Sequence, residues 1–141
     1  KGGTLTTATH VPLITNQPGT VPPGRVCEDL VDFTDFLPTI TDAAGVDPDP
    51  ACFPDGRSFL PQLRGERGNP REWIFCHYDP RWGQWQPARF VMNREWKLYG
   101  DGRFYHLGND PVEESPLGSI VLGSEADRVL RQFEAVLDRM R

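Results

Sequence analysis

An apolar stripe at helical spacing near the end of the chain places the strongest constraint on the fold. Ser124 can cap a helix, with Asp127 three residues later, and the apolar residues that follow recur every three or four positions. The stripe consists of Ala126, Val129, Leu130, Phe133, Val136, Leu137 and Met140. A helix with one apolar face has to cover another hydrophobic surface. We therefore expect one amphipathic helix from Ser124 onward that packs against a sheet.

Four short segments before this helix supply that sheet. They are rich in aromatic residues and partly alternate between apolar and polar positions, which is typical of antiparallel strands, and they span 72–78, 88–93, 95–100 and 103–107. Gly100-Asp101-Gly102 is a strong hairpin signal, and Asn93-Arg94 is a weaker one. The sequence predicts an α+β fold in which a small antiparallel sheet is covered by the C-terminal helix.

The first third of the chain has the pattern of a strand followed by a helix. An apolar run predicts a buried strand over 11–16, and apolar spacing predicts a helix within 28–45. Pro38 cannot lie deep in a regular helix. Either Thr34 or Asp35 caps a helix with Pro38 in its first turns, or the segment kinks at Pro38.

Proline and glycine separate the two ends of the chain. The chain holds 14 of each, and over 46–71 one or the other occurs every few residues without any sustained period. The predicted organisation is therefore a strand and helix in 1–45, a connector in 46–71, and an antiparallel subdomain with its closing helix in 72–141.

Charge and composition argue against two classes of partner. The 15 Lys and Arg residues are scattered among 20 Asp and Glu, which gives a net charge of −5 without a basic tract, so we expect no nucleic-acid partner. No stretch approaches the ~18 apolar residues of a membrane helix, and the chain shows no targeting signal, so we expect no membrane partner. The three cysteines, at 27, 52 and 76, lack zinc-site spacing. We expect buried thiols or a Cys27–Cys52 disulfide.

The polar residues alone do not reveal a nucleophile and base pair. The histidines are far apart without metal-ligand spacing, and we expect His77 and His106 to be packed or strand-edge residues. Aspartates recur at 29, 32 and 35, which is more typical of a solvated or dipole-favoured helix face than of a metal site. Lys1-Gly2-Gly3-Thr4 precedes a predicted strand and does not open a helix, so it is not a phosphate-binding loop.

A series of short motifs, however, resembles the C-terminal third of a sulfatase. In chain order these are Lys1-Gly2-Gly3-Thr4 ahead of Pro12, "VPLITNQPG", "LVDFTDFLPTITDAAG", "DGRSFLPQLRG" and "REWKLYGDGRFYHLGNDPVEESPL". The resemblance is to the formylglycine-dependent, arylsulfatase-like type in the alkaline-phosphatase superfamily, and it extends over nearly the whole chain. One position departs from the family pattern, because His106 stands where the family usually has Asp.

This resemblance implies that the chain is a piece of a larger enzyme. Residues 1–45 would be the last strand and helix of a sulfatase-type α/β domain, and the small antiparallel subdomain would follow. The rest of the catalytic domain is expected upstream. The resemblance also implies a secreted or periplasmic protein.

Candidate site residues follow from the same resemblance. It implies that Lys1 lies in the active site and holds a sulfate oxygen. An ammonium with a reference pKa of about 10.4 stays charged there and stabilises the charge that develops as the S–O bond breaks. His10 is expected near the mouth of that pocket, where it contacts substrate, orients an acidic neighbour or makes a structural hydrogen bond. Trp82 and Trp85 are candidates for a rim that faces carbohydrate.

The remaining chemistry is expected outside this chain. The resemblance implies a formylglycine nucleophile and one Ca²⁺ or Mg²⁺ with oxygen ligands, both supplied by upstream segments, with no metal ligand in this chain. "CFPDGR" at 52–57 is similar to the nucleophile motif Cys-x-Pro-x-Arg, but its Arg comes one residue late and lies in the connector. The chain alone is therefore predicted to be inactive.

The predicted function of the intact protein is hydrolysis of sulfate esters, either aryl or carbohydrate sulfates. Two alternatives stay open. One is a non-catalytic binding or interaction module with sulfatase C-terminal architecture, and the other is a phosphodiesterase or phosphonate hydrolase of the same superfamily. A Cys-x-Pro-Ser-Arg segment encoded upstream of Lys1 would distinguish the sulfatase from the module.

Overall fold

The structure is a computed structural model that describes residues 3–46, 50–52, 55–81, 83 and 86–140. The chain divides into two compact units, one formed by Lys1–Pro12 with Trp73–Arg141 and the other by Leu13–Glu72. We call them the sheet unit and the helical unit. The domain boundaries expected from the sequence refer to a longer protein and stay a prediction.

Four helices and four strands make up the regular structure of the described residues. The helices are α1 (Thr6–Thr9), α2 (Phe36–Ala43), α3 (Leu60–Arg64) and α4 (Glu125–Arg139). The strands are β1 (Ile74–Tyr78), β2 (Ala88–Met92), β3 (Trp96–Tyr99) and β4 (Phe104–His106). Short 3₁₀ turns add Phe33–Asp35 and Pro50–Cys52.

The strands form one antiparallel sheet in the order of the chain, β1-β2-β3-β4. The β2–β3 turn is closed by Asn93, whose side-chain oxygen accepts the N–H groups of Glu95 and Trp96. The β3–β4 turn contains Gly102 at a φ of 91°, a conformation that favours glycine. The predicted antiparallel sheet and both hairpins are confirmed.

Helix α4 covers one face of this sheet. The Ser124 hydroxyl caps the helix by accepting the N–H of Asp127. The apolar stripe of α4 packs on residues from β2, β3 and β4, and the buried cluster consists of Val91, Trp96, Leu98, Phe104, Phe133, Val136 and Leu137. The predicted helix, its cap and its packing on the sheet are confirmed.

The opposite face of the sheet is also covered. Alternation along β3 directs Lys97 and Tyr99 away from the face that Trp96 and Leu98 present to α4. This second face has a buried cluster of its own, made of Phe90, Tyr99, Tyr105 and Leu107. All residues of β3 are consequently buried.

In the helical unit, the sequence left two alternatives for Pro38, and the structure decides between them. Pro38 lies in the first turn of α2, where its missing N–H has no intrahelical partner to lose. Asp35 occupies the N-cap position, although its side chain makes no capping hydrogen bond to α2. The alternative with Pro38 in the first turn is confirmed, but the capping side chain is that of Asp32, which caps the preceding 3₁₀ turn.

Asp35 is buried and accepts four hydrogen bonds from three groups, so a solvated aspartate face is wrong for this residue. The Arg71 guanidinium donates to both carboxylate oxygens, at 2.5 and 2.7 Å. The backbone N–H groups of Arg57 and Asp32 donate at 2.7 and 2.8 Å. A carboxylate can be buried at low cost only with this kind of complete pairing.

Two further sequence predictions are wrong in the first half of the chain. Residues 11–16 form no strand, and Val11, Leu13 and Ile14 are 56%, 45% and 88% exposed. A strand needs a neighbouring strand for its backbone groups, and no described residue pairs with this run. Cys27 and Cys52 are neither buried nor bridged, because both are exposed free thiols.

Phe133→Ala should destabilise the sheet unit by about 3–5 kcal/mol, because the ring is fully buried and its removal leaves a cavity under α4. Urea unfolding followed by tryptophan fluorescence measures this change. The control is Leu122→Ala, whose side chain is 80% exposed and whose effect should stay within about 0.5 kcal/mol. Equal stability of the two variants would contradict the packing of α4.

Candidate functional site

A short segment from the start of the chain lies on the second face of the sheet. It comprises residues 4–10 with helix α1, and we call it the N-terminal segment. Helix α1 is a single turn with no side-chain cap and no buried residue. An isolated helix of this length is unstable in water. The segment therefore depends on hydrogen bonds to the sheet unit for its position.

Those hydrogen bonds come from two side chains, and a third lies against the same segment. The Thr4 carbonyl oxygen accepts from the Lys97 ammonium and lies 3.1 Å from the Tyr99 hydroxyl oxygen, whose single proton is donated to Glu113. The Glu113 carboxylate accepts both the N–H and the hydroxyl of Thr6, at 2.6 and 2.7 Å. We call Lys97, Tyr99 and Glu113 the anchor triad.

The members of the anchor triad also bond to one another. Lys97 Nζ lies 2.9 Å from Glu113 Oε1, and the Tyr99 hydroxyl donates to Glu113 Oε2 at 2.5 Å. The side chains of Lys97 and Glu113 are 0% and 1% exposed. The ammonium also lies 4.3 Å from the centroid of the Phe90 ring. Both charges are thus removed from water and paired inside the sheet unit.

Burial and hydrogen bonding change the pKa values of all three members of the triad. The pKa values of Lys97 and Glu113 are lowered, and that of Tyr99 is raised. Loss of hydration lowers the pKa of Lys97, and the hydrogen bond and charge of Glu113 offset only part of that effect. Burial alone would raise the pKa of Glu113, but hydrogen bonds from Tyr99, Lys97 and Thr6 outweigh it and hold this pKa below its usual value. Burial, together with the Glu113 hydrogen bond, raises the pKa of Tyr99. The arrangement thus favours an ionised Glu113 and a neutral Tyr99 that donates to it.

Glu113 reaches the triad from an unusual backbone conformation. Its φ is 59°, in the left-handed region that residues other than glycine rarely occupy. Glu113 ends the turn that starts at Asp110, where its N–H donates to the Asp110 carbonyl oxygen at 3.3 Å. Such a conformation persists only where the surrounding contacts fix the residue, as the bonds of the triad do here.

An open cavity of about 950 Å³ lies beside the N-terminal segment, within the sheet unit. Two guanidinium groups line it. Arg103 pairs with Asp101 at 2.9 Å and lies over the Tyr99 ring, 4.4 Å from its centroid. Arg89 reaches the cavity from β2. A volume of this size can receive a small-molecule ligand, and the guanidinium groups favour an anionic one.

Only one of the residues expected in the site lies within the described part of the chain. Lys1, Trp82 and Trp85 lie outside the described residues. His10 is exposed just after α1, with its N–H donating to the Thr6 carbonyl oxygen at 2.8 Å, and its role stays a prediction. In the part of the chain that the structure describes, no group of three or more His, Cys, Asp or Glu side chains could hold a metal ion.

The other two histidines have the surroundings that the sequence predicts. His106 packs edge-on against the Trp96 ring, with the ring centroids 4.4 Å apart, and its Nδ1 accepts the N–H of Asn109. His77 is exposed on the edge strand β1 and lines the cavity. The expectation of a packed and an edge histidine is confirmed.

The anchor triad itself is not predicted by the sequence pattern. A signal for it exists, because Lys97 and Tyr99 alternate with two core residues in Trp96-Lys97-Leu98-Tyr99. Such alternation ordinarily indicates a face that meets water. Only a partner segment about 90 positions earlier in the chain turns this face into a buried one.

Comparison with known proteins identifies the class of protein. Residues 4–141 match the family described as N-sulphoglucosamine sulphohydrolase, C-terminal. The chain belongs to this family and is therefore the C-terminal part of a sulfatase. The resemblance seen in the sequence motifs and the α+β fold expected from it are confirmed.

A solved structure supports the same assignment. The chain is similar to a crystal structure from Bacteroides thetaiotaomicron VPI-5482 that carries the description of a sulfatase, with 26% sequence identity and a TM-score of 0.53. The similarity covers 74% of this chain and 23% of that chain, so the present chain spans less than a quarter of that protein. The comparison with curated proteins finds no match.

None of the helices in the described part of the chain has the length and apolar character to span a bilayer.

Acidification should weaken the sheet unit through Glu113. Its pKa is lower in the folded chain than the usual 4.5, so the carboxylate contributes stability above about pH 4.5 that is lost as the pH falls below this value. Urea unfolding at a series of pH values from about 7 to 3 measures this loss. Glu113→Gln takes up no proton at this position and should lose less stability on acidification than the wild type.

The matched control for this prediction is Glu114→Gln, the same change at the exposed neighbouring residue. It should keep the acid dependence of the wild type. If Glu113→Gln shows that same dependence, the buried carboxylate is not ionised as the structure indicates.

Proposed function

We propose that the intact protein hydrolyses sulfate groups on carbohydrates and that this chain supplies the N-terminal segment as one wall of the substrate site. The observation that carries the proposal is the family match, which starts at residue 4, in the segment that the anchor triad holds. The family description refers to an N-sulphated glucosamine. We therefore favour a sulfated carbohydrate over an aryl sulfate as substrate.

Lys1 is the residue of this chain that we assign to the chemistry. It lies three positions before Thr4, whose carbonyl oxygen accepts from Lys97. An ammonium at this position would donate to a sulfate oxygen and stabilise the charge that develops as the S–O bond breaks. We assign His10, exposed just after α1, to the edge of the same site as a substrate contact.

The cavity beside the N-terminal segment supports this assignment. Arg89 and Arg103 line it together with Thr4 and Thr7, and Asp101, which also lines it, pairs with Arg103. Guanidinium groups bind sulfate and carboxylate groups through paired hydrogen bonds. We propose that the cavity receives the anionic sugar to which the reacting sulfate is attached.

The nucleophile and the metal are proposed to come from the upstream part of the protein. The described residues offer no set of side chains for a divalent cation, so they do not fit the Ca²⁺ or Mg²⁺ of the family, and no step is assigned to a metal in this chain. A formylglycine nucleophile upstream and a secreted or periplasmic location belong to the same proposal.

The 141-residue chain alone should release no sulfate, because the nucleophile is assigned to another part of the protein. The assay is incubation of the purified chain with 4-nitrophenyl sulfate and with N-sulphated glucosamine, in the presence of Ca²⁺ or Mg²⁺. The full-length protein is the positive control. Metal-dependent turnover by the short chain would show that the assignment of the nucleophile is wrong.

In the full-length protein, Lys1→Ala should lower turnover by about 10²–10³-fold, the loss typical of one transition-state donor, while the melting temperature hardly changes. Lys1→Arg should restore only part of the rate, because a planar guanidinium does not fill the space of a compact ammonium. Steady-state sulfate release measures both variants. Arg128→Ala removes an exposed cation from α4 and should keep wild-type turnover.

The same assays distinguish the alternatives. Wild-type turnover in Lys1→Ala would reduce Lys1 to a surface charge. A full-length protein that prefers a phosphodiester such as bis(4-nitrophenyl) phosphate would be a phosphodiesterase of the superfamily, and one that binds sulfated sugar without turnover would be a binding module.

A further inference from the structure

The stability of the sheet does not by itself account for the anchor triad. A buried ion pair loses about as much by desolvation as it gains by attraction, and apolar side chains of similar size often give equal or greater stability. Lys97 and Glu113 are nonetheless fully enclosed, and Glu113 adopts a left-handed backbone to reach its partners. A combination of buried charge and backbone strain indicates a role that an apolar cluster cannot fill.

That role lies in what the triad holds. Lys97 donates to the Thr4 carbonyl oxygen, and two donors of Thr6 converge on Glu113 Oε1. The Tyr99 hydroxyl fixes Glu113 by donating to its other oxygen, Oε2. The Thr4 carbonyl oxygen on one side of Leu5 is thereby fixed, as are the N–H and the hydroxyl of Thr6 on the other side. Because hydrogen bonds are directional, these contacts set both the position and the direction of the chain at this point.

Lys1 is close enough in the chain to depend on this placement. Three residues extend by no more than about 11 Å, so the position of Thr4 limits the region that Lys1 can occupy. The residues between them are Gly2 and Gly3, which have no side chains of their own for packing, and Gly3 has a φ of 132°. A misplacement of a catalytic group by 1 Å can cost about 10²-fold in rate.

We propose that Lys97, Tyr99 and Glu113 are positioning residues that hold Thr4 and Thr6 so that the Lys1 ammonium reaches the reacting sulfate in its productive position. This inference rests on the proposed function of Lys1 and extends it to the C-terminal sheet. Lys97 and Glu113 are buried and do not line the cavity that we assign to the sugar. Tyr99 lines that cavity, but its hydroxyl is directed to Glu113. Loss of the hydrogen bonds of the triad should therefore lower kcat more than it changes KM.

Tyr99→Phe is the mildest change to the triad, because it removes the hydroxyl and keeps the ring. In the full-length protein it should lower kcat by about tenfold and change KM by less than about twofold. Hydrogen exchange measured by mass spectrometry should become faster at the amides of residues 4–10. The matched control for exchange is Tyr105→Phe, which removes the other buried hydroxyl of the same cluster. That hydroxyl bonds to Arg103 and not to the triad, so its removal should leave exchange at residues 4–10 unchanged.

A double-mutant cycle tests whether Tyr99 acts through Lys1. In the Lys1→Ala background, Tyr99→Phe should change kcat by less than about twofold, because the group that it positions is already absent. Losses that multiply in the double variant would overturn the positioning role while leaving Lys1 catalytic. Wild-type turnover in Lys1→Ala would instead overturn the proposed function itself, so the two failures are distinguishable.

A second pair of variants approaches the triad from the N-terminal segment. Thr6→Val removes the hydroxyl that donates to Glu113, whereas Thr9→Val, in the same helix, removes a hydroxyl that bonds only to the Leu5 carbonyl oxygen at 3.3 Å. Thr6→Val should lower kcat by about fivefold with KM unchanged, and Thr9→Val should not. If the Tyr99→Phe variant does not fold, the comparison of Thr6→Val with Thr9→Val is the test of the inference. Equal kcat values for the two threonine variants would then overturn the inference.

Discussion

The buried ion pair between Lys97 and Glu113 is the interaction on which the placement of the N-terminal segment depends. Two opposite charges can be enclosed in a protein only if their remaining donors and acceptors are also satisfied. Here Tyr99, Thr4 and Thr6 satisfy them. The pair therefore couples formation of the sheet to placement of a segment from the other end of the chain. Without that segment, the second face of the sheet would expose a charged pair among aromatic rings.

The two faces of the sheet use different forces for different purposes. The face under α4 is an apolar cluster around Phe133, and hydrophobic burial stabilises without specifying direction. The opposite face is built on hydrogen bonds that fix particular atoms of the N-terminal segment. A sulfatase needs its catalytic groups placed to within a fraction of an ångström, and only directional contacts can supply that. The polar face therefore suits the positioning role that we propose for it, and the apolar face supplies stability.

Predictions from the sequence agree with the structure where they depend on interactions between residues close together in the chain. The strands of the sheet and α4 are predicted well because alternation, turn residues and the Ser124 cap act over a few positions. The strand expected over 11–16 is absent because an apolar run does not reveal whether a pairing partner exists. The sequence predicts a solvated or dipole-favoured helix face for Asp35, yet its buried carboxylate bonds to Arg71, which is 36 positions away. Such a distance leaves no periodic signal.

The sequence by itself determined the order and type of the elements after residue 72 and the membership of the sulfatase family, because both reside in local periods and short motifs. Only the tertiary structure decided that Lys97 is buried, that Glu113 faces it and that Thr4 and Thr6 complete the pair. Alternation along β3 places Lys97 on the face away from α4, and it is equally compatible with water or protein on that face. The outcome is set by a segment about 90 positions away, and the cost of burying an unpaired charge then dictates which groups must meet there.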